Sequence, residues 1–139
     1  MLAAMADNYV AVVGAGSLRS DDDAAIRFPH AWTAQDVTVE ADFTGAHLLH
    51  LSAAACVLND LYREARTLGI ALDGARVAAT GDFDDEWSST GIRYSIEVDS
   101  AAEVEELTLL VETVDRLAEI PRALRAGTTV RRGLWPQPD

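Results

Sequence analysis

The segment TGAHLLHLSAAACVLNDLYREARTLGI, residues 44–70, is the longest periodic stretch of the sequence. Its apolar residues recur three and four positions apart, at Leu48, Leu51, Ala55, Leu58, Tyr62 and Ala65. This period predicts an amphipathic helix over 46–68, with Thr44 as N-cap and Gly69 as C-terminal stop. The small side chains before Cys56, SAAAC, allow another backbone to pack closely against the middle of this central helix.

The segments on either side of the central helix predict strands and one further long helix. The predicted elements are an N-terminal β-hairpin region over 8–43 (strands at 9–14, 24–28 and 36–43), a strand pair over 75–99, a second helix over 101–120 and a C-terminal strand over 128–135. This order favours one α+β domain over 1–139, with an antiparallel sheet and two main helices.

Two local signals refine these elements. Ser100 and Glu103 have the spacing of a capping box, which predicts the start of the second helix, and Pro121 is expected to end or kink it. In the strand at 36–43, Val37 and Phe43 belong to an alternating apolar face that we expect to be buried.

Charge and cysteine content exclude several classes of function. The 139 residues include eleven arginines, no lysine and 23 acidic residues, for a net charge of -12 at pH 7. Such a field repels phosphate backbones and anionic lipid, so we expect neither nucleic acid nor membrane as partner. One cysteine cannot form an internal disulfide, and no signal peptide or membrane-spanning segment is recognisable, so we expect a cytoplasmic protein.

The remaining motifs do not predict a cofactor or a metal. Gly14 and Gly16 follow a strand as in a dinucleotide-binding loop, but no helix pattern comes after them, so a hairpin loop is favoured. His47 and His50 could share a metal, but no third ligand lies on the same helix face. The acidic runs at 21–23 and 82–86 lack the pattern of a calcium loop.

Cys56 is therefore the one residue with chemistry to explain. A free cysteine in an alanine-rich helix commonly behaves as a small buried hydrophobe. Asp60, one turn later, would raise the thiol pKa if it stayed ionised. A reactive thiolate would need a cation supplied from elsewhere in the fold.

Two segments of the chain resemble a known family. TGAHLLHLSAAACVLNDLYREARTLGIALDGARV (44–77) resembles the central helix and following strand of the OsmC/Ohr family, the osmotically inducible and organic hydroperoxide resistance proteins. LLVETVDRLAEIPRALRAGTTV (109–130) resembles the last helix and C-terminal strand of that family. The resemblance implies an OsmC-like α+β fold and an intertwined homodimer with its sites at the subunit interface.

The resemblance also implies a chemistry. Active family members are thiol peroxidases, in which a helix cysteine attacks the hydroperoxide, a second cysteine resolves the sulfenic acid and an arginine stabilises the thiolate. Cys56 matches the attacking cysteine, and Arg19 is the candidate stabiliser, with Arg27 as the alternative. Ile120 stands where the resolving cysteine is expected, and Ala46 replaces the glutamate that would orient the arginine.

Two main hypotheses follow for function. In the first, Cys56 supports at most a one-cysteine peroxidase that reduces an organic hydroperoxide and is recycled by an external thiol reductant. In the second, a non-catalytic OsmC-like dimer binds a small apolar ligand in its interface pocket. A third reading, in which Cys56 only fills the core, stays open as well.

Overall fold

A computed structural model describes residues 8–137 as a mixed sheet packed against helices. Its elements are β1 (Tyr9–Gly16), β2 (Ile26–Phe28), β3 (Val37–Glu40), α1 (Gly45–Leu68), β4 (Gly74–Phe83), β5 (Ser89–Asp99), α2 (Val104–Leu117), α3 (Glu119–Leu124) and β6 (Val130–Arg132). The α+β class is confirmed, and one face of the sheet carries α1.

The sheet is mixed and not antiparallel throughout, which corrects the sequence prediction. Its strand order is β2-β3-β1-β4-β5-β6, and β5 pairs with β6 in parallel, with Ile92 opposite Val130. The chain between these strands passes through α2 and α3, and a crossover of this length returns the last strand in the direction of β5. The strand pair β4–β5 is antiparallel, in agreement with its alternating pattern.

The N-terminal strands do not form the predicted hairpin. β3 lies between β1 and β2, so that Val39 pairs with Val13 on one side and Ile26 on the other. Thr38 and Val39 are buried and suit an interior strand, whereas the three residues of β2 are exposed and suit an edge. The predicted inward alternation also fails at Phe43, which is 90% exposed beyond the end of β3.

Both predicted ends of α1 are confirmed. The Thr44 hydroxyl accepts a hydrogen bond from the backbone N–H of His47 at 3.0 Å, which satisfies one free donor of the first turn. Gly69 has φ 73°, a left-handed conformation that costs glycine little, and its N–H donates to the Arg66 carbonyl.

The buried face of α1 coincides only in part with the stripe that the period predicted, since the last three residues of that stripe are buried and others are not. Leu48 is 39% exposed and Ala55 is exposed, whereas Ala53, Ala54 and Leu61 are fully buried. Because Ala53 and Ala54 have small side chains, α1 can lie close across β1 and β4, which also present alanines. For Ala53 and Ala54, the neighbour expected at SAAAC is therefore the sheet of the same chain.

The second helix begins and ends differently from the prediction. Glu103 is the N-cap and makes no side-chain capping bond. Ser100, the predicted N-cap, instead donates its hydroxyl to the Ala71 carbonyl at 2.6 Å. The helix breaks at Ala118, upstream of Pro121. Pro121 lies in the first turn of α3, where its missing N–H removes no helical bond.

Within residues 8–137, none of the helices combines the length and the apolar character needed to cross a lipid bilayer.

Candidate functional site

Cys56 lies in the middle of α1 on the side that faces α3. Its side chain is 9% exposed, and the backbone at Ile120 and Glu119 lies within hydrogen-bonding reach of the sulfur. The structure thus brings together Cys56 and position 120, where the resemblance expects a resolving cysteine. Since position 120 is isoleucine, the thiol meets only backbone at that position, and the sequence contains no second cysteine.

Two carboxylates flank the thiol. The Cys56 Sγ lies 3.9 Å from Asp60 Oδ2, and Asp60 is completely buried. The Nη2 of Arg63 forms an ion pair with the same carboxylate oxygen at 3.2 Å, and the Arg63 side chain is 36% exposed. Glu119 completes a cluster in which the Cys56 sulfur and the carboxylate oxygens all lie within 4.8 Å of one another.

These surroundings stabilise the protonated thiol. Burial is the largest effect, the backbone at Ile120 acts in the opposite direction, and the negative charges of Asp60 and Glu119 add to the increase, so that the pKa of Cys56 rises to about 11. Burial likewise raises the pKa of Asp60, although Arg63 opposes that increase. The expected effect of Asp60 on the thiol is therefore confirmed in direction.

The candidate arginines lie away from this cluster in the single chain. The Nε of Arg19 donates to the Gly16 carbonyl at 3.2 Å, within the turn that follows β1. Arg27 is exposed on the edge strand β2. Among residues 8–137, the charged groups that shift the thiol pKa are both acidic. A role for Arg19 or Arg27 at the thiol stays a prediction.

The other expected polar partner is also accounted for. Ala46, at the position expected for the orienting glutamate, offers only its backbone carbonyl, which accepts a hydrogen bond from His50 Nδ1 at 2.7 Å. Alanine at this position supplies no carboxylate of its own to hold an arginine.

The described residues offer one set of three potential metal ligands, and it is not the one weighed from the sequence. Cys56, Asp60 and Glu119 are close enough to share an ion, although Arg63 already partners the buried carboxylate. His47 and His50, the pair considered from the sequence, have different surroundings. His47 contacts Thr44 and Asp42, whereas His50 is fully buried.

A cavity of about 250 Å³ opens on a different side of α1, between that helix and strands β1 to β3. Its apolar lining is Val13, Phe28, Val37, Val39, Leu51, Ala55 and Leu58. Its two polar lining residues, His30 and Asn59, bond to each other at 3.3 Å, and burial lowers the pKa of His30. The cavity therefore presents an apolar wall with a neutral imidazole at its edge.

The comparisons with known proteins agree with this architecture. The family model described as OsmC-like protein matches residues 35–132, which is more than half of the chain. The chain belongs to the OsmC-like family. No curated protein matches the sequence significantly.

Solved structures share the OsmC-like fold at low sequence identity. An OsmC-like protein from Mycoplasma pneumoniae is 13% identical with a TM-score of 0.61, over 88% of this chain and 92% of its own. An organic hydroperoxide resistance protein OsmC from Legionella pneumophila is 16% identical with a TM-score of 0.56, over 67% and 69% of the two chains. An OsmC-like hydroperoxide resistance protein from Jannaschia sp. is 10% identical with a TM-score of 0.51, over 94% and 97%.

The sequence analysis did not predict that Arg63 and Glu119 lie beside Cys56 and Asp60. Arg63 lies three positions after Asp60, a spacing at which helical side chains meet, so the ion pair had a local signal. Glu119 had a weaker signal, because it precedes the position that the resemblance placed beside Cys56.

Proposed function

We propose that this OsmC-like protein binds a small apolar molecule in the cavity between α1 and strands β1 to β3, and that Cys56 does not turn over hydroperoxide at neutral pH. The observation that carries the proposal is the cavity itself, whose few polar groups already bond to each other. Ligand sites of small molecules are mostly apolar clefts with few polar groups, and about 250 Å³ suits a compact ligand.

The thiol supports the same proposal. A pKa of about 11 leaves only on the order of one thiol in ten thousand ionised at pH 7, and the thiolate is the nucleophile. Its flanking charges are negative, so a developing thiolate gains no electrostatic stabilisation from them.

The proposal includes a homodimer, in a reducing cytoplasmic compartment that keeps the single thiol free. Large apolar side chains on β2 and α1 are exposed near the cavity: Ile26 is 51% exposed, Phe28 49% and Leu48 39%. A second copy on this face would cover both the edge strand and the open side of the cavity. Sedimentation should give a dimer mass, and Leu48→Glu, which places a charge on that face, should shift it toward the monomer.

The binding test uses N-phenyl-1-naphthylamine, a neutral apolar probe whose fluorescence rises on burial. We expect wild type and Cys56→Ser to bind it equally, and Ala55→Trp, which fills the cavity, to lose at least about tenfold in affinity. Ala126→Trp places the same side chain on an exposed alanine outside the cavity and serves as control. Equal binding by Ala55→Trp and wild type would contradict the proposal.

A one-cysteine peroxidase is the second candidate, favoured by the approach of the Ile120 backbone to Cys56. The thiolate would attack the hydroperoxide, the O–O bond would break, and an alcohol and a sulfenic acid would form. An external dithiol would then reduce the sulfenic acid to thiol and water, and the dithiol would itself be oxidised to a disulfide.

The peroxidase assay follows cumene hydroperoxide with dithiothreitol. The binding proposal predicts equal background rates for wild type and Cys56→Ser. Turnover by wild type that is lost in Cys56→Ser and reduced in Arg19→Ala would favour the peroxidase, with Arg19 as its positioning cation.

A further inference from the structure

A pocket of about 190 Å³ lies between the loop that joins β4 to β5 and the first residue of β1. Half of its lining is aromatic and half is acidic: Tyr9, Phe83 and Trp87, with Asp82, Asp84 and Asp85. None of these residues lines the cavity proposed for the apolar ligand, so this acidic aromatic pocket is a separate feature of the molecule.

The three aromatic rings form walls of the pocket that solvent can reach. The ring centroids of Tyr9 and Phe83 are 5.5 Å apart with planes at 75°, and those of Phe83 and Trp87 are 6.1 Å apart with planes at 46°. Because the planes are inclined to one another, the rings border a concave space and do not form a flat stack. Trp87 is 72% exposed, and the other two rings are half-buried, so a ligand in the pocket can contact all three.

The loop that carries Trp87 is closed by its own hydrogen bonds. Asp84 Oδ1 accepts the backbone N–H groups of Glu86 and Ser88, at 2.9 and 3.0 Å. The Asp84 carbonyl accepts the Trp87 N–H at 2.9 Å, and the Asp84 N–H donates to the Ser88 carbonyl at 3.0 Å. The backbone of Trp87 is therefore held in place before a ligand arrives, which reduces the entropy lost on binding.

The charge at the pocket is negative. Among residues 8–137, none of its three aspartates has an arginine or histidine nitrogen within 4.0 Å. Asp82 and Asp84 each have one oxygen bonded to backbone, since Asp82 Oδ1 accepts the Phe83 N–H at 2.9 Å and Asp84 Oδ1 closes the loop. Their charges still attract a cation over several ångströms, while the rings supply the surface that it would contact.

We propose that the acidic aromatic pocket binds a small molecule that carries a trimethylammonium group, such as choline. The faces of aromatic rings attract cations, and a trimethylammonium group needs no hydrogen-bond acceptor and gives up little hydration when it contacts them. A hydrated metal ion gains little from the rings, a neutral compound gains nothing from the carboxylates, and an acid is repelled by them. The net charge of -12 also raises the local concentration of cations around the protein.

The experiment titrates the full chain with choline at pH 7 and low ionic strength, followed by amide and indole chemical shifts. The matched neutral probe is 3,3-dimethyl-1-butanol, in which carbon replaces the charged nitrogen. We expect saturable binding of choline with shifts at the Trp87 indole and residues 82–88, and binding of the neutral probe about tenfold weaker. Added salt should weaken only the binding of choline. Equal affinities for the two compounds, or no saturable binding of choline, would overturn the proposal.

Two variants with matched controls locate the site. Trp87→Leu keeps an apolar side chain but removes the aromatic face, and it should weaken choline binding by about tenfold. Phe43→Leu removes a ring that is 90% exposed outside the pocket and should bind as wild type does. Because Trp87 is mostly exposed, its replacement should leave the fold intact. Equal affinities for Trp87→Leu and Phe43→Leu would refute the site.

The acidic contribution has its own pair of variants. Asp85→Asn should weaken choline binding roughly threefold, whereas Asp23→Asn makes the same change outside the pocket and should have no effect. Equal affinities for these two variants would contradict the role of the carboxylates. Ala55→Trp, which fills the apolar cavity, should bind choline as wild type does, so this proposal and that of the apolar ligand can fail independently.

Discussion

Two sides of one helix differ in what they can do. The side of α1 that carries Cys56 and Asp60 packs toward α3 and is closed and acidic. The side that carries Leu51 and Ala55 borders an open, apolar cavity. Cys56, which best marks the family resemblance, therefore lies where a thiolate is disfavoured. The cavity that could hold a ligand lies on another side of the same helix.

The largest expected effect concerns the reactivity of Cys56. Because the pKa of the thiol is about 11, alkylation by iodoacetamide at pH 7 should be about two orders of magnitude slower than that of an unperturbed cysteine. The rate should rise with pH up to a midpoint near that value. Asp60→Asn, which removes one nearby negative charge, should move the midpoint down. A wild-type midpoint at or below the free-cysteine value of about 8.5 would reverse the comparison and favour catalysis.

The second prediction concerns packing on the two sides of α1. Leu110 of α2 is fully buried, so Leu110→Ala should lower the free energy of unfolding by about 2–5 kcal/mol. Leu51 is only partly buried at the cavity, so Leu51→Ala should cost less than about 1 kcal/mol. Urea unfolding at low protein concentration measures both. Equal losses would show that the apolar side is as tightly packed as the closed side.

The smallest effect concerns the pH dependence of stability. Burial raises the pKa of Asp60, so the folded state binds this proton more tightly than the unfolded state does. Wild-type stability should therefore fall as pH rises from the unfolded value of about 3.9 toward the raised pKa. Asp60→Asn lacks this group, and its stability relative to wild type should improve over the same window. A difference between the two proteins that stays constant with pH would mean that Arg63 fully offsets the burial of Asp60.

The sequence predicted the strongest local features well. Thr44 and Gly69 bounded α1 because capping depends on a few consecutive residues. The sequence-based prediction failed where residues far apart in the chain compete for the same hydrogen bond. At Ser100, the hydroxyl bonds to the Ala71 carbonyl and not to the first turn of α2. The buried stripe of α1 was predicted only in part, because Leu48 and Ala55 fit the helical period as well as the buried Leu58 does, whichever side the sheet covers.

The candidate site likewise has one part that the sequence could predict and one part that it could not. Asp60 could be placed beside Cys56 because both lie on one helix, four residues apart. The contributions of Glu119 and Ile120 depend on the break at Ala118, which turns α3 toward the thiol.

The sequence by itself determined the class of the fold, the extent of its central helix and the absence of a second thiol, because composition, period and capping are properties of neighbouring residues. The tertiary structure decided the parallel pairing of β6, the insertion of β3 between β1 and β2, and the acidic setting of Cys56. These depend on which surfaces of separate elements exclude water together, and that exclusion fixes both the strand order and the proton affinity of the buried thiol.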